Sequence, residues 1–139
     1  MKKLFVLLLI TLASVALGIP CALAVDAVSI VKPPEGAIKS SPVEICMATS
    51  GVQVEPAKKG VNDGKGHHHL IVDSDLPIFL GQSVIPIATD KFHIHMGDGS
   101  TCKELKMAPG NHIIKALFAK GNHIPYTPPV TATIFITVE

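Results

Sequence analysis

A chain of 139 residues with 12 lysines, 11 acids and a formal charge of +1 has no basic block or stripe for a nucleic-acid backbone, so a nucleic-acid partner is excluded. Seven histidines stand against one tyrosine and no tryptophan, so the chemistry is sought in imidazole. No glycine-rich phosphate loop occurs, and Ser74, Ser83 and Ser100 sit in no nucleophile motif; no catalytic residue is assigned.

Residues 1–24 have the layout of a secretory leader: Lys2 and Lys3 give a charged start, 4–18 is nearly all apolar, and Ala22-Leu23-Ala24 fits a small-x-small cleavage site. The apolar run is short for a ~20-residue membrane span. It ends at Gly18-Ile19-Pro20, a poor run-up to a lipidated Cys21. Cleavage after Ala24 is therefore expected, leaving 25–139 as one domain, periplasmic or secreted, without a membrane span. Two cysteines remain, Cys46 and Cys102, and an oxidising destination favours their pairing over free thiols or soft metal ligation.

From Val25 onward the apolar residues recur with period two and are interrupted by Pro or Gly, the pattern of short strands. Residues 27–31 read as a strand ended by the turn Pro33-Pro34-Glu35-Gly36. In 43–47, Val43, Ile45 and Met47 share one face and Glu44 and Cys46 the other. Residues 53–65 read as a polar loop. It leads to 67–73, where His68, Leu70 and Val72 face one side and His67, His69, Ile71 and Asp73 the other.

Residues 74–89 should be an irregular connection with one short helical turn at 76–80. The next strand, 91–96, alternates Phe92, Ile94 and Met96 inward with His93 and His95 outward. Gly97-Asp98-Gly99-Ser100 is a turn, 101–107 a strand, and 112–119 a strand with Ile114, Ala116 and Phe118 on the face of His112. Residues 121–125 read as a loop, and Pro128-Pro129 stiffens the entry to a last strand over 130–138. About seven short strands in one domain predict an all-β fold, a small antiparallel immunoglobulin-like β-sandwich.

These motifs resemble a recognisable family, the secreted bacterial domain of unknown function 4399. The resemblance rests on Gly66-His67-His68-His69-Leu70-Ile71-Val72-Asp73 and on His93-Ile94-His95 before a glycine turn. It continues in Pro109-Gly110-Asn111-His112, Asn122-His123-Ile124-Pro125 and Pro128-Pro129-Val130, in the family's order over about residues 60 to 138. The chain departs from the family pattern at Met96, where Phe is usual, at Ser100, where Gln is common, and at Tyr126, where a further His is frequent. The resemblance implies no reaction.

Side chains two apart on a strand project from one face with Cα atoms roughly 6.5–7 Å apart, so two imidazoles can converge on one ion. His67/His69 and His93/His95 both have this spacing, and both pairs are expected on solvent-facing sides of their strands. Should the two strands adjoin, three or four imidazoles would surround Cu²⁺ or Zn²⁺ at about 2 Å. His68 and His112 share faces with apolar residues and are expected at the core edge, bonded to backbone, with ligation as the second possibility. His123 either fixes its loop or joins the cluster, and Asp73 is placed to orient an imidazole from behind.

The reading is thus a non-catalytic, histidine-rich domain that binds Cu or Zn through surface strand histidines. The alternative is a cell-envelope structural or interaction module whose histidine face binds a protein, peptide or glycan without metal.

Overall fold

In the computed structural model, which describes residues 25–76 and 90–139, each of the seven expected strands is present. They are β1 (Ala27–Lys32), β3 (Val43–Ser50), β5 (Lys65–Val72), β6 (His93–His95), β7 (Cys102–Leu105), β8 (Gly110–Ala119) and β9 (Pro125–Val138). Two strands of two residues each, β2 (Ile38–Lys39) and β4 (Gln53–Val54), complete the set, and a short 3-10 turn spans Ala57–Lys59. Both short strands escape a periodicity argument because two residues hold no alternation. The expected leader, 1–24, and 77–89, with most of the expected helical turn, lie outside the described residues.

The strands form two sheets. The smaller has the order β1-β3-β7; the larger runs β2-β9-β8-β5-β4, with β6 also paired to β5, and curls into a half-barrel. Pairing is antiparallel between the long strands, but β2 joins β9 and β4 joins β5 in parallel, so the expectation of a purely antiparallel fold is corrected at these two edges. The alternating residues meet in one core. Val28, Val43, Ile45 and Met47 from the smaller sheet pack with Leu70, Ile94, Ile114, Phe118, Ile134 and Ile136 from the larger. Apolar burial of this kind, at roughly 25 cal/mol per Å², is the main force holding the sheets together.

Outside the core the smaller sheet carries a disulfide between Cys46 and Cys102, directly opposed residues of β3 and β7 with Cα atoms 4.0 Å apart. Two expected details are corrected. Phe92 was expected inward but is 43% exposed, because the Asp90 carboxylate accepts the backbone N–H groups of Phe92 and His93 and turns the chain before β6 starts. The segment 125–129, expected as loop and entry, is already part of β9; Pro128 and Pro129 lie at exposed positions near its start, where a missing donor costs least.

β5 is the strand on which the site is built. It lies inside the larger sheet, with β8 on one side and β6 and β4 on the other, and every residue from Gly66 to Val72 is buried.

Candidate metal centre

Antiparallel pairing of β5 with β6 sets His69 directly opposite His95 and Ile71 opposite His93. The two same-face histidine pairs therefore do share one sheet face. They are not on a solvated surface: His67 and His69 are fully buried and His93 is 6% exposed, which corrects the expected solvent-facing position. On the same face Ile71, Leu117 and Ala119 form a second small apolar cluster, and Leu76 packs against it. The loop between β8 and β9 also folds over it and brings His123 against the strand histidines.

Two close glycine contacts and one left-handed residue fix that loop and the neighbouring turn. His123 has φ 66, a left-handed conformation, and its N–H donates to the Lys120 carbonyl while Lys120 N–H donates to Ile124. A Cβ on Gly121 would lie 1.9 Å from the Gly60 carbonyl oxygen, so the loop packs backbone to backbone on the end of the 3-10 turn. A Cβ on Gly97 would lie 2.2 Å from the His95 ring. The segment expected to be only a polar loop thus braces both ends of the site, and Ala57 N–H donates to the Gly97 carbonyl as part of that brace.

Four histidines come together: His67, His69, His95 and His123 each offer a ring nitrogen, and these atoms all lie within 4.8 Å of one another. The Nε2 atoms of His67 and His69 are 3.0 Å apart, as are those of His95 and His123. The six ring-to-ring distances are nearly equal, 4.8, 5.1 and 4.8 Å from His67 to His69, His95 and His123, 5.1 and 5.8 Å from His69 to His95 and His123, and 4.9 Å between His95 and His123. Six similar edges describe a tetrahedron; a square of rings would have two diagonals about 1.4 times its sides. His93 stands behind this group. Its Nε2 lies 3.0 Å from His69 Nδ1, so His69 meets His67 with one nitrogen and His93 with the other.

Burial holds these imidazoles neutral. Desolvation, reinforced by the neighbouring imidazoles, pushes His67 down to about 4 and His69 to about 2. His93, His95 and His123 are also lowered, first by burial. Neutral imidazole is the form that binds a metal, and a nitrogen donor set of this kind suits copper and zinc.

The remaining candidates lie elsewhere. His68 points to the opposite face, into the core, with its ring edge-on to Phe118 at 5.2 Å; both its nitrogens are buried without a hydrogen-bond partner, so the expected bond to backbone is corrected, and burial lowers it to about 4. His112 is paired with Asp73, Nδ1 to Oδ2 at 2.7 Å, and its Nε2–H donates to the Ala108 carbonyl at 2.8 Å. Asp73 does orient an imidazole, but that of His112 and not of the cluster. Tyr126 donates its hydroxyl to the Lys65 carbonyl at 2.8 Å. Glu44, Cys46 and Cys102 also lie close together, with both sulfurs committed to the disulfide.

A family model described as a domain of unknown function (DUF4399) matches residues 45–139. The chain belongs to this family. The match includes β5, β6, β8 and the loop carrying His123, so all four clustered histidines are within it. No curated protein and no solved structure matches the chain.

Proposed function

We propose that the protein binds one transition metal ion, copper or zinc, through His67, His69, His95 and His123, and that it stores, buffers or delivers the ion without catalysing a reaction on it. The observation that carries this reading is the convergence of four neutral imidazole nitrogens within 4.8 Å. A tetrahedral set at about 2.0–2.1 Å from an ion needs neighbouring nitrogens roughly 3.4 Å apart, so the two pairs now at 3.0 Å would open slightly and any wider pair, within 4.8 Å, would close. Four protein ligands close the coordination sphere, whereas catalytic zinc sites keep a position open for water.

His93 takes the supporting place: as acceptor from His69 Nδ1–H it would leave His69 Nε2 free for the ion. The proposal includes a leader at 1–24 and a periplasmic or secreted domain of 25–139, with an immunoglobulin-like sandwich as its finer classification. The other reading, a face that recognises a protein, peptide or glycan, needs accessible imidazoles; the complete burial of His67 and His69 supports the metal instead.

Elemental analysis and Zn²⁺ titration of protein purified without an affinity tag test this reading beside His67→Ala/His69→Ala. One tightly held ion per chain, lost in the variant, is expected. Weak binding that is equal in both proteins would refute it.

A further inference from the structure

We propose that the cleft between the free edges of the two sheets binds a single-chain carboxylate, a medium-chain fatty acid, with its hydrocarbon between the sheets and its carboxylate on Lys103. The site is separate from the histidine cluster: Ile94 faces the cleft and the core, and His93 and His95 leave β6 on the other side.

The opening follows from strand order. Among the described residues β7 pairs only with β3 and β6 only with β5, so each is an edge of its sheet. Between these edges lies a cleft of about 370 Å³. Val72 and Ile94 wall it from the larger sheet, and Leu105 and Met107 from the smaller sheet's side. All four belong to the main core or pack against it, so the cleft is an apolar extension of the core that opens to solvent. Ligand pockets run from roughly 300 to 1,000 Å³, and a cleft at the small end suits one hydrocarbon chain and not a two-chain lipid.

Charge at the lip selects the headgroup. Directly opposed residues share a face of the sheet, and Lys103 is opposed to Ile45, which is fully buried in the core. The Lys103 side chain therefore leaves β7 on the core side, whereas Cys102 and Glu104 leave it on the outer side. Lys91 stands on the β6 lip with its ammonium 4.5 Å from the Phe92 ring centroid, and Lys106 follows Leu105 on the other lip. Against these three cations the lining holds two acids, Asp73 and Asp90. Asp73 is engaged by His112 and the Ile113 N–H, and Asp90 by the N–H groups of Phe92 and His93. Asp98, outside the lining, is acted on by Lys103 at longer range. Every acid of the chain is among the described residues, and none forms an ion pair with Lys91, Lys103 or Lys106. A cationic lip over an apolar floor is the complement of a fatty carboxylate.

The inward lysine also argues against a peptide as the occupant. A charge pointing inward from an edge strand opposes the addition of another strand. A small anion meets that charge instead.

Calorimetric titration of the untagged protein with decanoate tests the proposal beside Lys103→Gln and Lys103→Arg, with chelator present so that no metal ion can hold the carboxylate. Saturable binding of about one decanoate per chain is expected. The affinity should fall at least about tenfold in Lys103→Gln, as for losing a hydrogen bond between charged groups, and stay within about threefold in Lys103→Arg; uncharged 1-decanol should bind about tenfold more weakly than decanoate. Methyl NMR signals of Leu105 and Met107 should shift on binding. Equal affinity in wild type and Lys103→Gln, shifts that leave Leu105 and Met107 unmoved, or no saturable binding below the concentration at which decanoate aggregates would overturn the proposal. Binding to phosphatidylglycerol vesicles without binding to monomeric decanoate would overturn it in favour of a membrane surface.

Discussion

The clustered His67, His69 and His95 and the separate His112 are the same side chain on the same sheet, yet they are held in opposite states. Around His67 and His69 the neighbours are other imidazoles and apolar residues, and burial keeps the rings neutral. Burial also disfavours charge on His112, but the Ala108 carbonyl and the Asp73 carboxylate outweigh it and raise its pKa above the ordinary value. Two acceptors on one ring select imidazolium. Imidazoles whose nitrogens face one another select either a shared proton or a shared cation. The contrast lies in what the second nitrogen of each ring meets, and not in the number of histidines.

The largest break in this comparison should come from His69→Ala, which removes the ring linked to both His67 and His93. Zn²⁺ affinity should fall at least about a hundredfold, more than the 10–100-fold typical of losing an outer partner. His112→Ala should leave affinity within about twofold by titration, since its ring faces Asp73 and Ala108 and not the cluster. Equal losses in the two variants would erase the distinction. Next in size is His93→Ala: loss of the acceptor behind His69 should weaken Zn²⁺ by roughly 10–100-fold, with part of the loss restored by His93→Gln, whose amide oxygen can accept the same N–H.

Stability against pH sharpens the comparison further. In metal-free protein, unfolded histidines take up protons near 6.5 while folded His67 resists until about 4, so the unfolded state binds more protons between these values. Stability supplied by the neutral cluster is complete above 6.5 and is lost as pH falls toward 4. His112 has the opposite sign: its contribution is complete below 6.5 and is lost as pH rises through its raised folded value. Urea unfolding with chelator present should therefore show a midpoint that falls from pH 7 to pH 5, and His67→Ala/His69→Ala should flatten that slope. A wild-type profile that is level over this range would contradict the neutral-cluster account. The smallest effect expected is that of Asp73→Asn, a loss of about 1 kcal/mol at pH 5.5 for a pair whose acid is partly exposed. The loss should shrink at pH 8.

Much of this was legible in the residues, and the gaps have physical causes. Period-two alternation located all seven longer strands and put His67 with His69 and His93 with His95. It could not give the partner of β5, because register and strand order depend on contacts distant in sequence. The burial of the cluster did leave a signal: from His67 to Val72 no charged residue interrupts the strand, and Ile71 shares the face of His67 and His69. Such near-continuous runs are buried on both sides, whereas the reading weighed only the alternation. For His123 the two expectations, fixing its loop or joining the cluster, could not be ranked because a loop has no period. Its one clue was Gly121 just before it, where backbone must approach backbone. Conversely, His93 had the right spacing but sits one residue pair further along β6, opposite Ile71, so it reaches the far nitrogen of His69 and not the common centre.

The most direct test of the central claim is the X-ray absorption spectrum of the Zn²⁺-loaded protein, which counts the imidazoles on the ion by their multiple scattering. The account predicts four nitrogen ligands, all imidazole, at about 2.0–2.1 Å, with no sulfur. A sphere with two or fewer imidazoles, or one containing sulfur from Cys46 or Cys102, would contradict it.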